Sequence, residues 1–182
     1  MRTQRPWTPP LAVVAVILVV VLGGYVTAGA LSTSAAAPRS VGGVVTIHPA
    51  GGWRFVDQTG GPAGAGARIT RGSGTLDVFT GPAVGDAAGT ARAYVLGSLE
   101  PGSTSLTVSP GLDAVTLDGA LPAVRFSYSG VFDQSGVPIE GEVTVAVTPG
   151  GSGAVFDVWA PQGQLGFVVD DAHAMERGAT FP

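Results

Sequence analysis

Ser152, in Gly150-Gly151-Ser152-Gly153-Ala154, is the serine placed most like a nucleophile. A catalytic serine needs a base beside it, and the imidazoles of the chain are His48 and His173 alone. The stretch lacks the second glycine of a G-x-S-x-G elbow and falls in an expected hairpin loop instead of a strand-to-helix turn. There is no cysteine to replace it. His173 has Asp170, Asp171 and Glu176 near it in sequence, which is the raw material of a metal site. The capping and solvation of a short helix account for the same acids, and His48 stands apart before Pro49. Glu140 and Glu142 share one strand face roughly 7 Å apart at Cα, yet the intervening Gly141 reads as part of a solvated edge. The glycine-rich stretches Gly60–Gly66 and Gly72-Ser73-Gly74 open no helix with a following lysine, so a phosphate cradle is not expected. These residues predict no catalytic centre, no metal and no cofactor.

Arg125, Asp157 and Trp159 form the remaining group. All three are expected on one face of a sheet, and Trp with Arg is a common composition for the centre of a binding surface. The bland alternative is a Trp packed beneath a helix with an Arg–Asp pair at its margin.

The strands that carry this group give the clearest periodic signal. Between Ala123 and Ala160, three segments alternate apolar and polar residues with period two. Val124, Phe126, Tyr128 and Phe132 share a face in the first, and Ile139, Val143, Val145 and Val147 in the second. The Asp133-Gln134-Ser135-Gly136 turn makes them a hairpin. Pairing Phe132 with Ile139 sets Tyr128 opposite Val143 and Gly130 opposite Gly141. Two facing glycines imply a bend, a close approach or a small cavity. After Pro149–Gly153, the third segment is expected to continue the core face with Phe156 and Val158. Arg125, Ser127, Thr144, Asp157 and Trp159 then fall on a mixed reverse face that another element partly covers.

Upstream, Val44–Ile47, Ala67–Thr70 and Thr75–Phe79 read as short strands, the last two joined through Arg71-Gly72-Ser73-Gly74. One helix is predicted from an Asp86 N-cap to about Leu99, with Ala87, Ala88, Ala91, Val95 and Leu99 on its inner stripe and Pro101-Gly102 ending it. A second runs from about Asp170 to Arg177, with Asp170 or Asp171 as N-cap, Ala172 and Met175 inward, and Gly178 at C′. The fold class is α+β, a mainly antiparallel sheet with a long C-terminal meander and two helices packed on it.

All nine basic residues are Arg, and Arg2 and Arg5 precede an unbroken apolar run, Leu11–Leu22. Residues 1–10 are expected in the cytoplasm. Leu11–Ala30 is long enough to span roughly 30 Å of hydrocarbon, and the positive flank orients it with its C-terminal side outside. The alternative is a signal peptide cleaved after Ala28-Gly29-Ala30. Residues 31–40 read as a flexible tether, and 41–182 as the extracytoplasmic domain. Beyond the apolar run seven Arg face thirteen acids, a net of −6. That balance excludes a nucleic-acid footprint and leaves the N-terminal helix as the only membrane contact.

The order of strand, Gly52-Trp53, strand hairpin, helix, long meander and short terminal helix, with Gly119–Tyr128 feeding Gly130–Asp133, resembles the PsbP-like, or Mog-type, α/β/α sandwich. The layout is similar to small cell-envelope lipoproteins of actinobacteria, although this chain has no cysteine to lipidate. The resemblance implies a non-enzymatic binding or accessory module of the cell envelope. Its partner would be an envelope protein that the sequence does not name. The alternative is a carrier or sensor of a small apolar ligand held near Gly130 and Gly141.

Overall fold

The structure is a computed structural model and describes residues 35–56, 64–133 and 136–182. The apolar segment Leu11–Ala30, most of the tether, residues 60–63 of the glycine-rich loop and the turn residues Gln134 and Ser135 lie outside the described residues. No helix among the described residues is long and apolar enough to cross a membrane.

The described strands are β1 (Arg39–Val41), β2 (Val45–Ile47), β3 (Arg54–Val56), β4 (Ala65–Arg71), β5 (Gly74–Pro82), β6 (Ser103–Val108), β7 (Asp113–Leu117), β8 (Leu121–Phe132), β9 (Pro138–Val147) and β10 (Ser152–Pro161). The helices are α1 (Ala87–Tyr94) and α2 (Val169–Arg177). The main sheet runs β3-β4-β5-β10-β9-β8-β6, with β7 also on β8, and every pairing in it is antiparallel. β10 therefore lies in the middle, buried on both faces. Such a strand tends to read as an apolar run with no outward polar row.

Two cores flank the sheet. One holds Val45, Ile47, Trp53, Leu76, Val78, Phe156, Val158, Ala172 and Met175, beneath the β1–β2 hairpin and α2. The other holds Phe79, Ala91, Leu99, Phe126, Tyr128, Val143, Val145 and Val155 beneath α1. The α+β reading, the paired strands at 65–82 and both helices are present. Asp86 caps α1 as expected, its side chain accepting from Gly89 N at 2.8 Å. After Tyr94 the helix widens into a π-turn over Val95–Leu99, closed by Glu100 N to Val95 O at 2.9 Å. α2 has no side-chain cap: Val168 stands at its N-cap, and Gly178 ends it at φ −89 without entering the left-handed region.

Two expectations about the meander are corrected. The β8–β9 register is displaced by two residues, so Gly130 pairs with Ile139, Tyr128 with Gly141 and Phe126 with Val143. The two glycines do not face each other. Phe132 instead pairs with Ser103 on β6, and each of the two glycines faces a large residue. The second correction concerns β10, where Val155, Asp157 and Trp159, and not Phe156 and Val158, share the face of Phe126 and Val143. In a sheet covered on both sides, alternation gives the period of a strand but not which core each set enters, and a one-residue change in the hairpin flips the whole strand.

Candidate functional site

The group proposed from sequence is divided by the sheet. Arg125 lies on the α2 face, where Nε donates to Thr144 Oγ1 at 2.8 Å and Nη2 to Glu176 Oε2 at 2.5 Å. Thr144 Oγ1 also donates to that oxygen at 2.9 Å. Glu142 stands 3.9 Å from Arg125 Nε, and its carboxylate meets His173 Nε2 at 2.9 Å. Glu140 accepts from Leu165 N at 2.9 Å. The glutamates read as a solvated edge therefore fasten the terminal segment onto the sheet. Burial raises the Glu176 carboxyl, opposed by the Arg125 charge. This cluster is an anchor for α2.

Asp157 and Trp159 stay together on the α1 face. A row runs straight across the sheet there: Arg68 on β4, Asp77 on β5, Asp157 on β10 and Val143 on β9. Asp77 and Asp157 are direct cross-strand partners, each 4% exposed. Like charges opposite one another are unfavourable, so the neighbours must compensate, and they do so asymmetrically. Asp77 receives a two-pronged guanidinium from Arg68, at 2.7 and 2.8 Å, and the Trp159 indole N–H at 3.0 Å. Asp157 receives only phenols, Tyr94 Oη at 2.7 Å and Tyr128 Oη at 2.8 Å. Burial pushes the Asp157 carboxyl up to about 7, and the charge on Asp77 pushes the same way. The two phenolic hydrogen bonds and Arg68 pull against them. Burial, with the Asp157 charge behind it, raises both tyrosines well above their ordinary range.

Gly141 is what lets Tyr128 reach Asp157. Tyr128 sits on β8, Asp157 two strands away on β10, and Gly141 between them on β9. A Cβ on Gly141 would lie 2.6 Å from the Tyr128 ring and 2.7 Å from its hydroxyl. The ring covers the bare glycine, as aromatic residues do for glycines in sheets. Gly130 is likewise closed, since a Cβ there would meet Ser105 O at 2.4 Å. Each glycine accepts a close neighbour, and Gly141 also lines a shallow groove of about 310 Å³ with Ser127, Ser129 and Glu140.

The cavity lies beside them. A cleft of about 710 Å³ opens over the polar row, floored by Asp77, Asp157, Tyr128 and Trp159. Phe79, Tyr94, Leu99, Phe132 and Ile139 wall it, and Arg68, Ser98 and Asp133 also line it. The π-turn after α1 supplies Ser98 and Leu99, in keeping with the frequency of such turns at working sites. Ser152 lies elsewhere, at the start of β10, its N–H bonded to Thr148 Oγ1 at 3.2 Å. His48 is exposed beside β2.

Arg68, Asp77, Tyr94 and Tyr128 were missing from the sequence-based group. The signal for one of them, Asp77, was present. Leu76-Asp77-Val78-Phe79 and Phe156-Asp157-Val158-Trp159 are the same pattern, a lone acid inside an apolar strand before an aromatic residue. A buried acid in such a run has to find partners, and two matching runs suggest that the strands are neighbours.

An eight-stranded antiparallel sheet with a helix on each face and this strand order defines the PsbP-like fold. Two solved structures show it in particular. A crystal structure of LpqN, involved in cell envelope biogenesis of Mycobacterium tuberculosis, is 17% identical at TM-score 0.54, over 76% of this chain and 83% of that one. The solution structure of the cyanobacterial PsbP, CyanoP, from Synechocystis sp. PCC 6803 is 14% identical at TM-score 0.58, over 82% of this chain and 94% of that one. No family model and no curated protein sequence matches the chain.

Proposed function

We propose that the domain is a non-enzymatic binding module of the cell envelope, tethered outside the membrane by its N-terminal segment, and that the α1-face cleft is where it binds. The observation that carries this reading is the cleft itself: an aromatic-walled cavity whose few polar groups converge on its floor, the usual build of a binding site. The floor carboxylates are engaged with Arg68, Trp159 and the two tyrosines, which suits holding a ligand better than turning one over. Similarity in fold to a protein of envelope biogenesis supports the location, and the apolar run Leu11–Leu22 behind Arg2 and Arg5 supports the tether.

The test is photo-crosslinking from the full-length chain in its native membrane, with the reactive group at Ser98 on the cleft wall or at exposed Thr116 on β7. A discrete product from Ser98 that is absent from Thr116, and absent again in a folded Trp159→Ala variant, is the expected result. Identical patterns from the two positions would overturn the reading. A carrier or sensor of a small apolar ligand is the second reading, favoured by the walls of Phe79, Leu99, Phe132 and Ile139. Native mass spectrometry separates the two, because a carrier leaves the envelope with a reproducible added mass.

A further inference from the structure

The hydrogen-bonding inventory of the cleft floor is one-sided. Both tyrosine hydroxyls give their protons to Asp157, so each phenolic oxygen has only lone pairs left to offer. Asp157 itself accepts one bond on each oxygen and has room for another on each. The indole N–H of Trp159 and two guanidinium N–H groups of Arg68 are committed to Asp77. With Asp157 ionised, its end of the floor thus offers acceptors and no free donor. Its charge is also one-sided: Arg68 hydrogen-bonds Asp77 and acts on Asp157 only through its field, so two acids share one cation. Asp157 and the two phenolic oxygens surround this spot with lone pairs, which attract a cation, while the Trp159 ring already carries the Arg68 guanidinium 5.8 Å from its centroid. The walls beyond are hydrocarbon.

We infer that the cleft is a site for an amphipathic ammonium ligand, its charged head against Asp157 between Tyr94 and Tyr128, and its apolar body against Phe79, Leu99, Phe132 and Ile139. This rests on the reading of the cleft as the binding site and adds the class of ligand. A neutral ligand filling the same space would bury Asp157 further without balancing its charge. A carboxylate would meet two acids at the floor, with the unused N–H groups of the single Arg68 as its counterweight. The charged and titratable groups facing Asp157 are Asp77 from β5, Arg68 from β4, Tyr94 from α1 and Tyr128 from β8. Burial brings Asp157 to about 7. The proton and the ammonium compete for one carboxylate, and the ligand wins as pH rises.

Isothermal titration calorimetry of the full-length chain with phenethylamine, phenethyl alcohol and phenylacetate tests this. The amine stays protonated throughout, as a lysine side chain does. Phenethylamine is expected to bind about tenfold or more tightly than the alcohol near pH 8, and to weaken about tenfold near pH 6 as Asp157 takes up its proton. Phenylacetate is expected not to bind. In Asp157→Asn, which keeps an acceptor for the tyrosines, the preference for the amine falls to about onefold. If that variant fails to fold, the wild-type pH profile decides alone. Equal affinity for amine and alcohol, a flat pH profile or a preference for phenylacetate overturns the inference. If all three probes fail while the Ser98 crosslink persists, the inference falls and the binding-module reading stands. If both fail, both fall.

Discussion

Asp157 couples the cleft to the stability of the domain. Its carboxyl sits at about 7, against an ordinary 3.8, so the folded state holds a proton that the unfolded chain has released. Stability from this group is full below about pH 4 and is lost as pH rises toward about 7, by roughly 4 kcal/mol in total. Urea midpoints measured across that range should show the loss in the wild type. Asp157→Asn should lack it, and parallel curves for the two proteins would refute the assignment. Tyr94→Phe and Tyr128→Phe each remove a hydrogen bond that favours the ionised form. Each should therefore move the wild-type transition to higher pH, in addition to costing about 1 kcal/mol for the lost bond.

At the scale of elements, the β8–β9–β10 meander depends on one missing side chain. Gly141→Ala places a carbon where the Tyr128 ring lies. The ring must move and its bond to Asp157 must break, at a cost of roughly 1–3 kcal/mol. With Tyr128→Ala already in place the same change should cost much less, and a double-mutant cycle on unfolding free energies measures that coupling. On the other face, Arg125→Ala strands the Glu176 carboxyl beneath α2 and should cost roughly 3–5 kcal/mol. Replacing both residues by Met should recover most of that loss. Hydrogen exchange should show the amides of α2 as the first to open in Arg125→Ala.

The element scale is also where the sequence was most and least informative. The period of each long strand, the Asp86 cap and the inward Ala172 and Met175 were readable, because local geometry sets them. The face of β10 was not, because both faces are buried and Phe156 and Val155 are equally at home in either core. Matching large residues to large ones gives a β8–β9 register two residues off, because the fold sets Tyr128 over Gly141. β6 and β7 carry no comparable signal. They are short and mostly half-exposed or exposed, and their place is set by pairing with β8. The site followed the same pattern: Asp157 and Trp159 were found as types, while the partners that give them meaning come from β4, β5, β8 and α1.

On the scale of the whole molecule, the chain closes on itself near its end. Thr46 and Thr180 exchange both backbone hydrogen bonds, at 2.8 and 3.0 Å, fixing the β1–β2 hairpin over the core that holds Trp53. Thr180→Pro removes one donor and should increase proteolysis within 39–47 while leaving the α1-face cleft unaltered. The proposed tether makes its own prediction. The full-length chain should remain with membranes through alkaline carbonate extraction, and release into the soluble fraction would favour cleavage after Ala30.

The pairing of Asp77 with Asp157 joins two parts of the chain that are made separately. The β4–β5 hairpin and the β8–β10 meander can each form from local contacts, but the sheet is completed only when β5 docks on β10. That docking brings two acids together before the helix carrying Tyr94 has to be in place. Folding should then be gated by proton availability. Refolding near pH 5, where Asp157 can meet its neighbour uncharged, should be faster than refolding near pH 8. In Asp157→Asn that difference should vanish, so the carboxylate that shapes the cleft would also set the pace at which the domain assembles.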